Sequence, residues 1–321
     1  MFCKVLMIII GFFLLVIGAD VLIKGSTNIA KKFHIPEMLI GLTIVALGTS
    51  APELIITITS ANKGATDLII GNAIGSNLCN SLLILGLMAV IIPVEIDKDA
   101  KKIHIPIAFF ATLLILSMGL GMLGSMPSVI NGRDGTILII MFIFYFSYPI
   151  IIEINDIVKT YKQEKNSKKN KEIKIMKSIL FIIIGIVLLK YGGDFVVDNS
   201  SNIAKMFNVP ERIIGLTIVA IGTALPELVT SIFAVIKKDT DLAVGNLVGS
   251  CVLNLFLILG VGSIITPLDF ANEFNQNLVL LTISTFIIWL FNFIGKKNII
   301  TRNKGAILLL IFAIYIIKLF V

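Results

Sequence analysis

Apolar residues run along this chain in long continuous stretches, each bounded by short polar or charged segments. Most stretches hold about 17 to 25 residues, the length at which a helix crosses roughly 30 Å of hydrocarbon. A membrane β-barrel would instead place apolar residues at every second position, so the continuous runs exclude it. We therefore predict ten transmembrane helices, over residues 5–23, 37–60, 67–92, 103–121, 135–155, 178–198, 211–236, 242–266, 277–294 and 305–320.

The composition supports a membrane protein, since 57% of the 321 residues are hydrophobic and only 15% are charged. That balance is too apolar for a soluble globular chain. The first stretch has a long apolar core, no small-residue cleavage pattern and Asp20 near its end, so we interpret it as a helix and not as a signal peptide. The three cysteines predict neither a disulfide framework nor a zinc site.

The chain contains an internal repeat with a constant offset of 174 residues. The segment TNIAKKFHIPEMLIGLTIVALGTSAPEL at 27–54 aligns without a gap to SNIAKMFNVPERIIGLTIVAIGTALPEL at 201–228. The same offset relates GNAIGS at 71–76 to GNLVGS at 245–250, Asn80 to Asn254 and Asp20 to Asp194. Self-similarity over this length indicates a duplicated structural unit.

Each half holds five predicted helices, an odd number, so the second half must enter the membrane from the opposite side. With the N-terminus outside, 20 of the 27 Lys and Arg residues fall in inside loops, which the positive-inside rule favours. We predict an all-α membrane protein of two inverted five-helix repeats, residues 1–158 and 178–321, joined by a basic cytoplasmic linker over 159–177. This architecture is typical of secondary transporters, whose substrate site lies near the membrane midplane.

A proline and a glutamate occur together inside one apolar stretch of each half, in GTSAPE at 48–53 and GTALPE at 222–227. Pro52 lacks an amide hydrogen and should free the carbonyl of Gly48, and Pro226 should do the same in the second half. An ionised glutamate in the membrane interior costs at least about 2.5 kcal/mol, which marks Glu53 and Glu227 as functional candidates. No basic residue lies close to either in sequence, so we expect a cation or a proton as the partner.

The candidate ligands around the glutamates are all oxygen atoms. Thr49 lies four residues before Glu53, and Ser76 with Asn80 repeats the same spacing, as does Ser250 with Asn254, so each pair shares a helical face. A flexible all-oxygen shell suits Ca²⁺ better than Mg²⁺, zinc or copper. The glycines of both GNxxGS motifs also suit close helix packing, and we leave that alternative open. For Asp20 and Asp194, near segment ends, helix capping or contact with interfacial water is favoured over ion binding.

Together, GTSAPE with GNAIGSNLCN and GTALPE with GNLVGSCVLN resemble the two alpha repeats of the sodium/calcium exchanger group within the cation/Ca²⁺ antiporter superfamily. The resemblance covers nearly the whole chain and implies exchange of cytoplasmic Ca²⁺ for external Na⁺ by alternating access. It implies central cation ligands at Glu53 and Glu227. The further ligands it implies are Thr49, Ser50, Ser76, Asn80, Thr223, Ser250 and Asn254, with the carbonyls of Ala46 and Ala220.

Two positions depart from the pattern of this group. Ala224 stands where a serine is usual, as Ser50 is in the first half, and Asn254 stands where several sodium-dependent members have aspartate. A H⁺/Ca²⁺ exchanger, a K⁺-dependent Na⁺/Ca²⁺ exchanger and, as a different class, a cation channel therefore remain alternatives.

An enzyme is not predicted, because no nucleotide motif or nucleophile–base pair occurs in the sequence. We expect Ca²⁺ and Na⁺ as substrates, no cofactor and no nucleic-acid partner. We also expect a functional monomer in the lipid bilayer of the plasma membrane, with both termini outside.

Overall fold

The computed structural model describes residues 2–123, 128–165, 175–207, 220–270, 272–294 and 298–320, and helices dominate it. The first half contains α1 (Phe2–Phe33), α2 (Glu37–Thr49), α3 (Ala51–Asn62), α4 (Thr66–Ile91), α5 (Ala100–Gly119) and α6 (Gly132–Lys165). The second half contains α7 (Ile175–Met206), α8 (Ala220–Thr223), α9 (Leu225–Ile236), α10 (Thr240–Ile265), α11 (Asn272–Phe291) and α12 (Arg302–Phe320). The prediction of a helical membrane protein is therefore confirmed.

Seven of the described helices are long and apolar enough to cross a membrane, and the pair α2 and α3, bent by 45°, makes an eighth. Of the two remaining predicted spans, 211–236 is described only from residue 220 onward, where α9 has 12 residues. The other, 305–320, lies in α12, which also carries Arg302, Lys304 and Lys318. The ten-helix inverted arrangement remains a prediction.

The predicted linker over 159–177 begins inside a helix, because α6 continues to Lys165. Residues 166–174 of the linker lie outside the described residues, and α7 starts at Ile175. The division of the chain into two halves and a linker therefore remains a prediction, with a helical start to the linker.

α4 and α10 form the centre of the molecule. In each, 78% of the most apolar stretch is buried, against 33% in α1 and 22% in α6. Because the membrane replaces water around the outer helices, their apolar side chains remain on the surface, as Phe13 and Phe144 do. The two GNxxGS motifs, which begin in α4 and α10, therefore lie in the most buried part of the fold.

Glycines allow two helix pairs to approach closely. In α1, a Cβ at Gly18 would lie 2.9 Å from the backbone nitrogen of Leu189, and one at Gly11 would lie 2.8 Å from the carbonyl oxygen of Gly192. The 174-residue offset relates Gly18 to Gly192, so both helices contribute equivalent glycines to this contact. Gly245 and Gly249 of α10 pack in the same way against α2, which supports the packing interpretation for the second GNxxGS motif.

Two short antiparallel strand pairs join the halves outside the helices. β1 (Val94–Glu95) pairs with β4 (Ile299–Ile300), and β2 (Val129–Ile130) pairs with β3 (Leu268–Asp269). Each pair takes one strand from each half of the chain. The halves are therefore connected by main-chain hydrogen bonds as well as by helix packing.

Candidate cation-binding site

The helix breaks predicted from the two proline motifs occur in both halves. Ser50, with φ −87° and ψ 8°, separates α2 from α3, and Ala224, with φ −83° and ψ 1°, separates α8 from α9. The prolines follow two residues later, in the first turn of α3 and α9, where a missing amide hydrogen costs no helical bond. The breaks thus fall at positions 50 and 224, and the freeing of the carbonyls of Gly48 and Gly222 by the prolines remains a prediction.

This geometry places both glutamates in the first turn of a helix. Glu53 is the third residue of α3, and Glu227 is the third residue of α9. The amide groups at a helix start favour a nearby negative charge, so the break helps to stabilise a carboxylate in the interior. Glu53 is 1% exposed and Glu227 is 2% exposed.

The structure buries the other predicted ligands as well, namely Ala46, Thr49, Ser50, Ser76, Asn80, Thr223, Ser250 and Asn254. The side chain of Ala220 is outside the described part of the chain, so the role of its carbonyl remains a prediction. Among the ion pairs of the described residues, none involves Glu53 or Glu227. The glutamates therefore have no lysine or arginine to compensate their charge there.

Ser50 connects the two halves at the centre of the site. Its Oγ donates to Oε1 of Glu227 at 2.8 Å and lies 3.1 Å from Oγ of Ser250. These three residues are far apart in sequence, so the contact requires both repeats. A hydroxyl that donates to a carboxylate stabilises its charge, and Ser50 therefore supports Glu227 from the other half.

The equivalent contact in the other direction is absent because Ala224 has no hydroxyl. The offset relates Ser50 to Ala224, Glu227 to Glu53 and Ser250 to Ser76. Accordingly, both carboxylate oxygens of Glu53 and the Oγ of Ser76 have no hydrogen-bond partner in the described part of the chain. One substitution thus explains why the two halves of the site differ.

Two asparagines that the sequence analysis did not select hold the site threonines. Thr49 Oγ1 donates to Oδ1 of Asn246 at 3.2 Å, and Thr223 Oγ1 donates to Oδ1 of Asn72 at 3.3 Å. Thr49 Oγ1 also lies 3.3 Å from the carbonyl oxygen of Ala46. The asparagines are the second residues of the two GNxxGS motifs, so their repetition at the offset of 174 was an available signal.

Several buried oxygens of the site have no hydrogen-bond partner among the described residues. They are both Glu53 oxygens, Oε2 of Glu227, Oγ of Ser76 and the Oδ1 atoms of Asn80 and Asn254. Buried polar groups without partners are costly, and an ionised carboxylate is the most costly of them. A cation that accepts these oxygens as ligands removes that cost, and hard oxygen donors suit Ca²⁺ or Na⁺. No group of three or more His, Cys, Asp or Glu residues that could hold a metal occurs in the described part.

A cavity of about 270 Å³ adjoins the site between α3 and α7. Pro52 and Ile56 line it from α3, Gly193 and Asp194 line it from α7, and Thr223 lines it from α8. Because Thr223 is one of the predicted ligands, the cavity borders the candidate site.

Asp20 and Asp194 lie inside α1 and α7, so the predicted capping role is wrong for both, and each forms ion pairs, while contact with interfacial water remains a prediction. Asp20 lies 2.6 Å from Nζ of Lys24 and 2.6 Å from Nζ of Lys237. Asp194 lies 2.9 Å from Nζ of Lys190, one turn away on the same helix. Each aspartate sits where a lysine can reach it, at i+4 or i−4 of its own helix.

Comparisons with known proteins show which family the chain resembles. The family model described as sodium/calcium exchanger protein matches residues 4–151 and 177–321. The sodium/calcium exchanger MaX1 of Methanosarcina acetivorans is 29% identical, over 98% of both chains. A putative antiporter, CaxA of Alkalimonas amylolytica, is 32% identical over 100% of this chain and 99% of its own length.

A solved structure of the sodium-calcium exchanger NCX_Mj, soaked with Na⁺ and Ca²⁺, superposes with a TM-score of 0.81 at 31% identity. The match covers 98% of this chain and 97% of that one. The fold and the family match both extend over nearly the whole chain and include the two buried proline–glutamate motifs. The chain therefore belongs to the sodium/calcium exchanger protein family.

Proposed function

We propose that this cation/Ca²⁺ antiporter exchanges Ca²⁺ for Na⁺ at the site between Glu53 and Glu227, and that it exports Ca²⁺. The observation that carries the proposal is the set of buried oxygens without protein partners around two carboxylates. Two glutamates balance one divalent cation, or two monovalent ones, in charge. The same ligands can therefore serve Ca²⁺ and Na⁺ in turn.

Coupled exchange, and not leak, follows from the burial of the charges. Without a bound cation, two ionised carboxylates would face each other in a low-dielectric interior, where their repulsion is strong. Reorienting the site in that condition is unfavourable, so the transition between access states requires bound cations. An inverted pair of five-helix repeats, with its site at the repeat interface, provides the two access states.

A proton-coupled exchanger is the second candidate, and the environment of Glu53 favours it. Neither oxygen of this glutamate receives a hydrogen bond from a described residue, because Ala224 replaces the serine that would donate one. A proton can satisfy such a carboxylate in place of Na⁺. The coupling ion is therefore the first property to measure.

Flux in proteoliposomes separates the two candidates. Vesicles loaded with Na⁺ should take up radioactive Ca²⁺ only when an outward Na⁺ gradient is present. Uptake driven equally well by a pH gradient without Na⁺ would establish the proton-coupled alternative instead. Ca²⁺ flux that needs no counter-ion would indicate a channel.

Removing either charge of the site should stop Ca²⁺ transport. Glu53→Gln and Glu227→Gln keep the size of the side chain but leave one carboxylate for a divalent cation, so we expect uptake to fall at least about 100-fold. Glu95→Gln is the matched control, because Glu95 is exposed in β1, outside the helices that carry the site. Full activity in either site variant would refute the assignment.

We propose the plasma membrane as the location, with both termini outside and a monomer as the working unit. Cys3 offers a test of the orientation, because it is exposed near the N-terminus while Cys79 and Cys251 are buried. A membrane-impermeant maleimide added to intact cells should label Cys3. Labelling that appears only after the cells are opened would contradict this orientation.

A further inference from the structure

Asn77 links the two halves beside the site through its side-chain amide. Its Nδ2 donates to the carbonyl oxygen of Cys251 at 3.1 Å, and its Oδ1 accepts from Nδ2 of Asn254 at 3.1 Å. A carbonyl oxygen can only accept, so the bond to Cys251 determines which end of the Asn77 amide faces Asn254. Asn77 is 0% exposed, and water cannot replace either bond. Asn254 must therefore present its nitrogen to Asn77.

This constraint leaves the oxygen of Asn254 available to the site. Oδ1 of Asn254 is buried without a hydrogen-bond partner in the described part of the chain. Asn254 follows Ser250 by four residues, one helical turn along the same face. Ser250 in turn contacts Ser50, which donates to Glu227. The free amide oxygen thus lies on the face of α10 that carries the site.

The first half has no equivalent constraint. The offset of 174 relates Asn80 to Asn254 and Asn77 to Cys251, so a thiol stands where Asn80 would need an amide partner. Both amide atoms of Asn80 have no hydrogen-bond partner among the described residues. The two symmetry-related asparagines therefore differ in how firmly they are held.

We propose that Asn77 is a positioning residue that holds the amide of Asn254 with its oxygen toward the bound Ca²⁺. The proposal rests on the function proposed above and adds a residue to it. A ligand held by a second residue binds a cation more tightly than one that must be ordered on binding. Asn80, without such a partner, can turn its amide, whereas Asn254 cannot.

Equilibrium binding of radioactive Ca²⁺ to the purified protein tests this role without requiring exchange. Asn77→Cys introduces the residue that the second half already has at the equivalent position, and Asn77→Ala is a second variant. We expect each to raise the Kd for Ca²⁺ about tenfold, the upper range for loss of an outer-shell partner being about 100-fold. In flux assays, KM should rise while kcat stays within about twofold. Cys3→Ser is the control, because Cys3 is exposed near the N-terminus and makes no contact with this network.

The double variant Asn77→Ala with Asn254→Ala distinguishes positioning from a structural role. If Asn77 acts through Asn254, removing it in the Asn254→Ala background should change the Kd less than about twofold. A further tenfold loss there, or an unchanged Kd in both single Asn77 variants, would overturn the proposal. If the unsubstituted protein bound no Ca²⁺, the proposed function itself would fail.

A second, independent observation concerns the ion pair between Asp20 and Lys237, which joins α1 to the end of α9. The repeat relates Asp20 to Asp194 and Lys237 to Lys63. Asp194 and Lys63 are therefore the residues that could form the equivalent ion pair. Yet Asp194 pairs with Lys190, and Lys63, which is exposed, forms no ion pair with a described residue. Of these two equivalent ion pairs, the described residues form only the one between Asp20 and Lys237.

The helices around these pairs differ in the same way. α1 packs along α9, whereas α7 and α3 have no comparable packing among the described residues. The cavity of about 270 Å³ lies between α7 and α3, with Asp194 in its wall. The helices thus pack together where the ion pair exists and are separated by a cavity where its equivalent is missing.

We infer that Asp194 and Lys63 form an ion pair in the opposite access state, where α7 packs on α3 and the contact between Asp20 and Lys237 is broken. The inference rests on the alternating access proposed above. Inverted repeats exchange conformations between the two states, so a contact made by one half in one state is made by the other half in the next. Each pair then biases the equilibrium toward its own state.

Accessibility of a cysteine placed at Ile56, in the wall of the cavity, tests the inference. In a Cys3→Ser background, the rate of labelling by a membrane-impermeant thiol reagent reports how often the cavity is open. Exposed ion pairs are weak, so we expect Lys237→Gln to lower the rate about threefold and Lys63→Gln to raise it about threefold. Lys238→Gln, next to Lys237 but not in the pair, is the matched control.

Changes in the same direction for Lys237→Gln and Lys63→Gln would overturn the inference, as would an unchanged rate in Lys63→Gln. Equal labelling from both membrane sides in one preparation of fixed orientation would instead indicate a channel, which would refute the proposed antiport. Failure of the ion-pair inference can therefore be distinguished from failure of the proposed antiport.

Discussion

At the scale of single residues, the difference between Ser50 and Ala224 determines the asymmetry of the site. The sequence predicted both glutamates and most of their oxygen neighbours, because a repeated motif with a buried charge has few structural uses. It did not reveal that Ser50 supports the glutamate of the opposite half, since that contact depends on how the halves pack. The contacts of Asn77 depend on packing in the same way, whereas Asn72 and Asn246 were available from their repetition at the offset of 174.

Restoring the missing hydroxyl should strengthen cation binding. Ala224→Ser introduces a hydroxyl at the position equivalent to Ser50, from which it can donate to Glu53 as Ser50 donates to Glu227. We therefore expect the Kd for Ca²⁺ to fall about threefold to tenfold, the effect of about one hydrogen bond. Ala61→Ser, in a buried position at the end of α3, is the control. Binding of radioactive Ca²⁺ measures both, and an unchanged Kd in Ala224→Ser would contradict the role given to this position.

Asp239 should make the stability of the protein depend on pH. It precedes α10 and accepts a hydrogen bond from the backbone nitrogen of Leu242 at 3.2 Å. Burial and the neighbouring Glu37 carboxylate raise the pKa of Asp239 to about 7, from an ordinary value of 3.8. Between these values the folded protein holds a proton that the unfolded chain releases. This contribution to stability is complete below the ordinary pKa and is lost as the pH rises through about 7.

Asp239→Asn removes the charge and keeps a side chain that caps helices well. At about pH 8 its Tm should exceed that of the unsubstituted protein, and the difference should shrink toward about pH 5. Asp67→Asn, at an exposed position in the first turn of α4, is the control for removing a carboxylate near a helix start. Thermal unfolding of the detergent-solubilised protein measures all three, and a lower Tm for Asp239→Asn at about pH 8 contradicts the assignment.

At the scale of helices, the sequence predicted most elements because membrane spans have a strong apolar signal. The predicted span 37–60 is a bent pair of helices, and the position of its break followed from backbone geometry that the proline alone does not specify. The extension of α1 to Phe33 also exceeded its apolar stretch. Polar residues there continue the helix beyond the predicted membrane boundary at residue 23. Hydropathy cannot predict this extension, because it detects only the apolar part of a helix.

Close contact between α1 and α7 should make their glycines sensitive to any added side chain. A Cβ at Gly18 would meet the backbone at 2.9 Å, whereas one at Gly71 would meet only a ring atom of Phe274 at 3.7 Å. Gly18→Ala should therefore lower the free energy of unfolding by about 1 to 3 kcal/mol. Gly71→Ala should leave it unchanged or raise it by up to about 1 kcal/mol. Equal Tm values for the two variants would argue against the close contact.

At the scale of the whole molecule, most site contacts cross from one half to the other. Thr49 bonds to Asn246, Thr223 bonds to Asn72, and Ser50 bonds to Glu227. The constant offset predicted two similar halves, but the sequence contained no signal that each half completes the ligands of the other. Such pairing is a tertiary property, because neither half contains both partners.

A disulfide placed across the strand pair of β1 and β4 should hold the two halves together after the linker between them is cut. Val94 and Ile300 are direct partners in the register, so Val94→Cys with Ile300→Cys, in a background without native cysteines, should form a disulfide. With a protease site inserted in residues 166–174, the cleaved protein should then migrate as one band until it is reduced. Two bands before reduction would contradict the register, and Val94→Cys alone serves as the control.

The pairing of β1 with β4 also has a consequence for biosynthesis. β4 lies between α11 and α12, so its residues leave the ribosome only when nearly the whole chain has been made. Until then, β1 remains an unpaired strand edge, and its closure joins segments that are distant along the chain, which is a slow kind of folding step. A nascent chain that stalls or terminates before residue 299 would leave β1 unpaired. We expect cellular quality control to recognise such a chain as incompletely folded.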